Sequence, residues 1–178
     1  MTKAFILALM FGVSSTSEAK EYLSVEQAQQ LMFSGHTMTR TPINLSAEQQ
    51  SKMTDASSVK FPFDGKNVWK VADGGWFVVD QVVGKHEFIT YAVGINADGT
   101  VKQVDVLEYN ESYGYEVKER NWMNQFIGKT AAMPIKLNQD IKNISGATLS
   151  CKHLSDGVKR VMVMYELTLK GQGNGTKN

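Results

Sequence analysis

An α+β fold is predicted, with an antiparallel sheet of about four or more strands and flanking helices. Three observations lead there. Four apolar runs, at residues 68–71, 76–83, 88–95 and 101–107, follow one another with only short turn-forming links between them. Two helical patterns with their own start signals precede these runs, and a longer apolar pattern of helical period follows residue 148.

The first helix opens at Ser24, which forms a capping box with Gln27, runs through Phe33 and stops at Gly35; Ser46 and Gln49 repeat the signature ahead of a more polar second helix. Residues 62–65, turn-rich and containing Pro62, lead into the sheet. The strands are separated by Asp73-Gly74-Gly75, Gly84-Lys85 and Asn96-Ala97-Asp98-Gly99, which read as the tight turns of a meander. Val101, Val104 and Val106 break strict alternation, so a bulge is expected in the last strand. Residues 116–127 read as a helix closed by Gly128, and residues 129–137 as an irregular crossover around Pro134. Leu154, Val158, Val161, Met162, Tyr165 and Leu169 then recur at helical spacing. In organisation, residues 1–19 read as a signal peptide, 20–64 as an N-terminal helical segment packed on the domain, 65–170 as the main domain and 171–178 as a disordered tail.

The leader reading rests on Lys3 as the positive n-region, an apolar h-region over residues 4–13 and Ser17-Glu18-Ala19, whose small residues suit cleavage after Ala19. That h-region is shorter than the ~20 residues a membrane span needs. A periplasmic or extracytoplasmic location is therefore expected. With 178 residues, 42% hydrophobic content and a net charge of +1, the chain supports one well-buried core and lacks the basic excess of a nucleic-acid partner. Cys151 is the only cysteine, which excludes an intrachain disulfide and a Cys-x-x-Cys-His haem attachment. It reads as a small buried helix residue. His36, His86 and His153 have no metal-ligand spacing, and neither a Gly-x-Ser-x-Gly elbow nor a Gly-x-Gly-x-x-Gly loop is present. Trp69, Trp76 and Trp122 read as core, with Trp122 heading the helix that follows the sheet.

The stretch that offers chemistry is Ser145-Gly146-Ala147-Thr148, followed by Leu149-Ser150. Gly and Ala leave the backbone and the Thr148 hydroxyl open to close approach by a large planar ligand. The helix that begins there, with Ser150 as a candidate N-cap, supplies free N–H groups and the positive end of a dipole, which suit a phosphate or phosphodiester. Such a cluster is also a common helix start, so the motif gains weight only from its surroundings.

Those surroundings resemble the FMN-binding domain family that includes the C-type subunit of the sodium-pumping quinone reductase and the G-type subunit of the Rnf complex. The resemblance runs from about residue 69 to 169. It is carried by the Ser145–Thr148 motif, by Glu111-Ser112-Tyr113-Gly114-Tyr115, by Gln125-Phe126-Ile127-Gly128-Lys129 and by a hairpin turning at Asn96–Gly99. It implies FMN attached by a phosphoester to Thr148, made by a flavin transferase, with Ser145, Gly146, Ala147, Leu149 and Ser150 shaping the cradle. Glu111, Gly114 and Tyr115 are implied contacts for the ring. Lys142 stands where the family usually carries an acidic residue, with Asp140 two residues earlier, and Tyr113 stands where many members have Pro; a tyrosine ring there suits stacking on the flavin.

The function expected on this basis is an exported carrier that relays electrons between a redox donor and acceptor, such as a cytochrome or a membrane reductase subunit, with no catalytic acid, base or nucleophile of its own. Two alternatives stay open: a flavin-dependent reductase of a small substrate, and a cofactor-free binding or structural module of the same fold, for which Lys142 is the motivating residue. The exported protein is expected to begin at Lys20, which N-terminal sequencing of the secreted fraction checks; retention of residues 1–19 would overturn the leader reading.

Overall fold

The computed structural model describes residues 20–111 and 113–172. The predicted leader, Ser112 and residues 173–178 of the tail lie outside the described residues. The elements in chain order are β1 (Lys20–Glu21), α1 (Val25–Met32), β2 (Met38–Arg40), α2 (Ala47–Ser57), β3 (Val68–Val71), β4 (Trp76–Val83), β5 (Phe88–Ile95), β6 (Val101–Tyr109), α3 (Arg120–Met123) and α4 (Thr148–Met164). They form the α+β arrangement the sequence predicts. The sheet is antiparallel and six-stranded, ordered β1-β6-β5-β4-β3-β2. The four predicted strands are its centre. β1 and β2, absent from the sequence prediction, are edge strands of two and three residues, too short for a period-two pattern to register and dependent on β6 and β3 for their conformation.

Both faces of the sheet are covered, which explains why the central strands read as nearly continuous apolar runs. Trp76, Val78 and Val82 of β4, with Ile89, Tyr91, Val93 and Ile95 of β5, join the main core beneath α4 and α2. Phe77, Val79 and Ala92 point the other way, to a smaller cluster closed by Ala28, Met32 and Phe33 of the α1 segment. The irregularity expected in β6 is present as two register shifts against β5, between Thr90 and Tyr91 and between Gly94 and Ile95. They return Val101, Val104, Val106 and Tyr109 to the main core despite their uneven spacing.

Helices α1 and α2 start at Ser24 and Ser46 with both capping boxes closed. The predicted helix over 116–127 is instead broken. A 3-10 turn at Tyr115–Lys118 ends at Glu119, whose extended backbone (φ −64°, ψ 132°) starts α3, and a second 3-10 turn at Asn124–Phe126 follows. The break lets the segment turn so that Val117, Trp122, Met123 and Phe126 all reach the core. Gly128, at φ +77°, closes it as expected and donates to Val101 O. The crossover is irregular, and Asp140 organises it by accepting from Ile135 N, Lys136 N and Lys129 Nζ.

α4 carries the site, and a buried charge pair sets its position. Arg160, 1% exposed, makes a forked contact to Asp80 of β4, with Nη2 2.7 Å from both carboxylate oxygens and Nε 3.0 Å from Oδ2. Nη1 donates to Phe61 O, Nη2 also to Gln81 O, and Tyr91 OH donates to Asp80 Oδ2 at 2.6 Å. The rings of Phe61 and Phe63 flank the guanidinium. One turn earlier Gly157 permits the approach: a Cβ there would stand 2.5 Å from Tyr91 OH and 2.7 Å from Val82 Cγ1. An interior helical glycine costs about 1 kcal/mol relative to Ala, which this close contact offsets. Asp80→Ala strands a buried guanidinium, so urea denaturation should show a stability loss of roughly 3–5 kcal/mol; an unchanged midpoint would mean that the pair does not anchor α4.

Candidate functional site

The first turn of α4 forms one wall of a cavity of about 480 Å³. Ala147, not Ser150, is the N-cap, so Thr148 is the first helical residue, and no side chain caps the end. Cys151 N–H makes the first intrahelical bond, to Ala147 O, which leaves the N–H groups of Thr148, Leu149 and Ser150 ahead of it. Gly146 brings the chain into the helix at φ +89°, and the space over its Cα is open. The Thr148 side chain is exposed, and its Oγ1 accepts from Asn143 Nδ2 at 2.9 Å. The motif therefore presents an oriented hydroxyl at a helix mouth.

Ser150 is a buried brace instead of a cap. Its Oγ lies 2.9 Å from Tyr109 OH at the end of β6, and the same phenol donates to Tyr113 O at 2.5 Å. Gly114 fills the seam between them: at φ +83° its missing Cβ would stand 2.8 Å from both Ser150 Oγ and Tyr109 OH. One buried phenol thus fastens the loop after β6 to the first turn of α4.

The other walls come from Tyr113 and Glu111 on that loop and from Lys85 and His86 at the tip of the β4–β5 hairpin. Ala147, Thr148 and Leu149 face them, with Tyr113 83% and Leu149 45% exposed at the rim. The structure thus brings Gly146–Ser150 and Glu111 into one cavity. It does not bring Gly114 or Tyr115 there. Gly114 lies in the seam behind the cavity, and Tyr115, half-exposed, faces the Lys118 ammonium. Ser145 is exposed beside the lining residues. Tyr113 occupies the wall position that its ring suits. Trp122 is core: its Nε1 donates to Lys142 O and its ring packs edge-on against Phe126, so it does not approach the cavity. Asp140, committed to the crossover loop, is not free to replace the acidic residue absent at Lys142.

Sequence reasoning missed Asn143, Tyr109, Lys85 and His86. None has a local signal: Asn143 shows its role only through its bond to Thr148, and the others are brought in by strand pairing and by contacts between segments distant in sequence. Cys151 is buried, and burial pushes its thiol up from its ordinary value.

A second cleft, of about 450 Å³, lies beside Asp98, Tyr165 and Lys170 at the opposite end of the long helix. Carbonyls, the negative end of the dipole, face that region, and Lys170 is taken up by Glu166 at 2.5 Å. Of these two clefts, the Thr148 cavity is the better suited to an anion. Its volume lies within the range of cofactor sites, its rim offers flat apolar surface from Tyr113 and Leu149, and its helix mouth offers donors for a phosphate. These residues fit a phosphorylated planar cofactor.

The fold and site define a small cofactor domain that presents a hydroxyl at a helix mouth against a sheet-borne pocket. Residues 84–163 match the family model of the FMN-binding domain. The chain is also similar to the G-type subunit of the Na(+)-translocating ferredoxin:NAD(+) oxidoreductase complex of Acetobacterium woodii, 28% identical over 82 residues, covering 41% of this chain and 40% of that protein. The matched stretch is thus less than half of the relative's length. Every residue lining the cavity falls inside the family match.

Burial pushes the Glu111 carboxyl up, but donation from His86 N, Glu87 N and Lys85 N outweighs it and holds the group below its ordinary value; Asp140 is lowered in the same way by Lys136 N, Lys129 and Ile135 N. A depressed carboxyl stabilises the fold above its unfolded-state value, and that contribution is lost as pH falls through the folded-state value. Thermal unfolding followed downward from pH 7 should therefore show stability declining below about pH 4, with a shallower decline in Glu111→Gln. Superimposable profiles would mean that the carboxylate contacts carry no stability.

Proposed function

We propose that this protein is an exported electron carrier whose FMN is joined through a phosphoester to Thr148. The observation that carries the reading is the placing of an exposed hydroxyl, fixed by Asn143, at the uncapped first turn of a 17-residue helix that faces a cofactor-sized cavity inside an FMN-binding domain. A flavin transferase is the partner that maturation requires.

FMN supplies reversible one- and two-electron transfer when bound, and the chain's residues hold and tune it. The N–H groups of Thr148, Leu149 and Ser150 face a phosphodiester at Thr148. Tyr113 and Leu149, both exposed at the rim, would hold the ring where another protein could reach it. The single link matters most outside the cytoplasm, where no pool of free FMN replaces what dissociates. A tether makes ring seating intramolecular, at an effective concentration of about millimolar, so modest contacts suffice.

Export is supported by Lys3, the apolar stretch over 4–13 and Ala19, and a location in the periplasm or outside the cytoplasm follows from it. That the similar protein is a subunit of an oxidoreductase complex supports redox protein partners, a donor and an acceptor, over a stand-alone enzyme.

The test is the intact mass of the protein co-produced with a flavin transferase, beside Thr148→Val. An added FMN phosphoester in the parent and none in the variant is the expected result. An unmodified parent, with the transferase active on a control substrate, would sink the covalent reading.

A further inference from the structure

The tip of the β4–β5 hairpin is the part of the cavity that no motif accounts for. It consists of Gly84, Lys85, His86 and Glu87, closed by Gly84 N donating to Glu87 O at 2.7 Å. A tip of this size has little of its own to hold it. Here it is tied down twice by residues distant in sequence. Glu111 Oε1 accepts from His86 N at 2.5 Å and from Glu87 N at 3.0 Å. On the other side Gly84 O accepts from Nδ1 of His153, on α4, at 2.9 Å. Gly84 makes the first contact possible, since a Cβ there would stand 2.6 Å from Glu111 Oε1.

The ties also bear on the charge at the cavity. Glu111 is engaged through Oε1 with backbone donors of the tip, and Lys85 is the one lysine among the residues that line the cavity with Thr148. Lys152, in the first turns of α4, is taken by Asp156 at 2.6 Å. Among the described residues no carboxylate pairs with Lys85. A lysine without a carboxylate partner, on the wall of a cavity that also holds a helix mouth, is complementary to an anionic ligand.

We propose that the hairpin tip is the cation-bearing wall of the FMN site, with Lys85 facing the bound cofactor and Glu111 acting as a positioning residue that holds the tip in place and not as a ring contact. The inference rests on the FMN reading above. Lys85 adds a charge-assisted contact to a cofactor that carries a phosphate and gains negative charge on reduction. Glu111 keeps that ammonium at the cavity through the backbone of the two residues that follow it.

The experiment removes the tether so that noncovalent seating is measured alone. In full-length Thr148→Val protein, free FMN is titrated by quenching of its fluorescence, with Lys85→Gln, Lys85→Arg and Glu111→Ala added singly. Lys85→Gln should weaken binding about tenfold, and Lys85→Arg should restore most of it. Lys85 is exposed, so neither change disturbs the core. Glu111→Ala should weaken binding several-fold and, without ligand, speed hydrogen exchange at the His86 and Glu87 amides while exchange in α4 stays unchanged. Equal affinity of Lys85→Gln and its Thr148→Val parent would overturn the cation wall and leave the FMN reading standing. Unchanged exchange at His86 and Glu87 would overturn the role of Glu111. If the wild-type chain neither carries nor binds FMN, the cofactor reading itself falls and the wall falls with it.

Discussion

The fork between Arg160 and Asp80 fixes the height and rotation of α4 over the sheet, and everything at the cavity inherits that placement. A guanidinium buried this deeply is tolerable only because every side of it is matched: a carboxylate, two backbone carbonyls and two aromatic faces. The same contacts draw in three chain segments, since Phe61 belongs to the stretch between α2 and β3, Asp80 and Gln81 to β4, and Arg160 to α4. With Gly157 allowing the helix to sit close and the fork preventing it from sliding, the three turns between Arg160 and Thr148 act as a rigid arm. Where Thr148 lies is thus decided about 18 Å away along the helix axis, at 1.5 Å per residue.

The sheet supplies the opposing side. β4 and β5 pair over their full length, so the hairpin tip projects from the same end of the sheet at which β6 finishes with Tyr109. Residues 84–87, 109–111 with Tyr113, and 146–150, far apart in sequence, meet because strand direction and register leave them together. Two side chains join them: the Tyr109 phenol ties loop to helix, and the Glu111 carboxylate ties loop to hairpin. A cavity framed on three sides by elements that are themselves cross-bonded has little freedom to collapse, which is what preorganised binding of a planar cofactor asks of a protein.

Much of this was legible in the sequence where the signal is local. The capping boxes at Ser24 and Ser46, the four central strands, the irregularity of β6 and the buried stripe of α4 all follow from period, turn chemistry and cap chemistry within a few residues. The helix over 116–127 was misread because its apolar spacing suits a helix while the core requires the chain to bend at Glu119, a tertiary demand without a local marker. β1 and β2 are strands only because a neighbour pairs with them. At the site, Thr148 and its motif stood out because small residues and a hydroxyl at a helix start are a local pattern. Ser150 had the residue type of a cap but sits three residues too far along, and Glu111 looked like a ligand because its work, holding two amides of a distant hairpin, shows only after folding. The role of Arg160 was hidden for the same reason: on a helical wheel it interrupts an apolar face, and only Asp80 across the interface explains it.

Cys151 gives the scaffold a property of its own. It sits in the first turn of α4, three residues from the hydroxyl that defines the site, yet it is fully buried and burial disfavours its thiolate, the form that oxidants attack. With no second cysteine in the chain, there is no sulfur couple to form or break. Folding of the chain therefore involves no intrachain disulfide, whether its surroundings are oxidising or reducing.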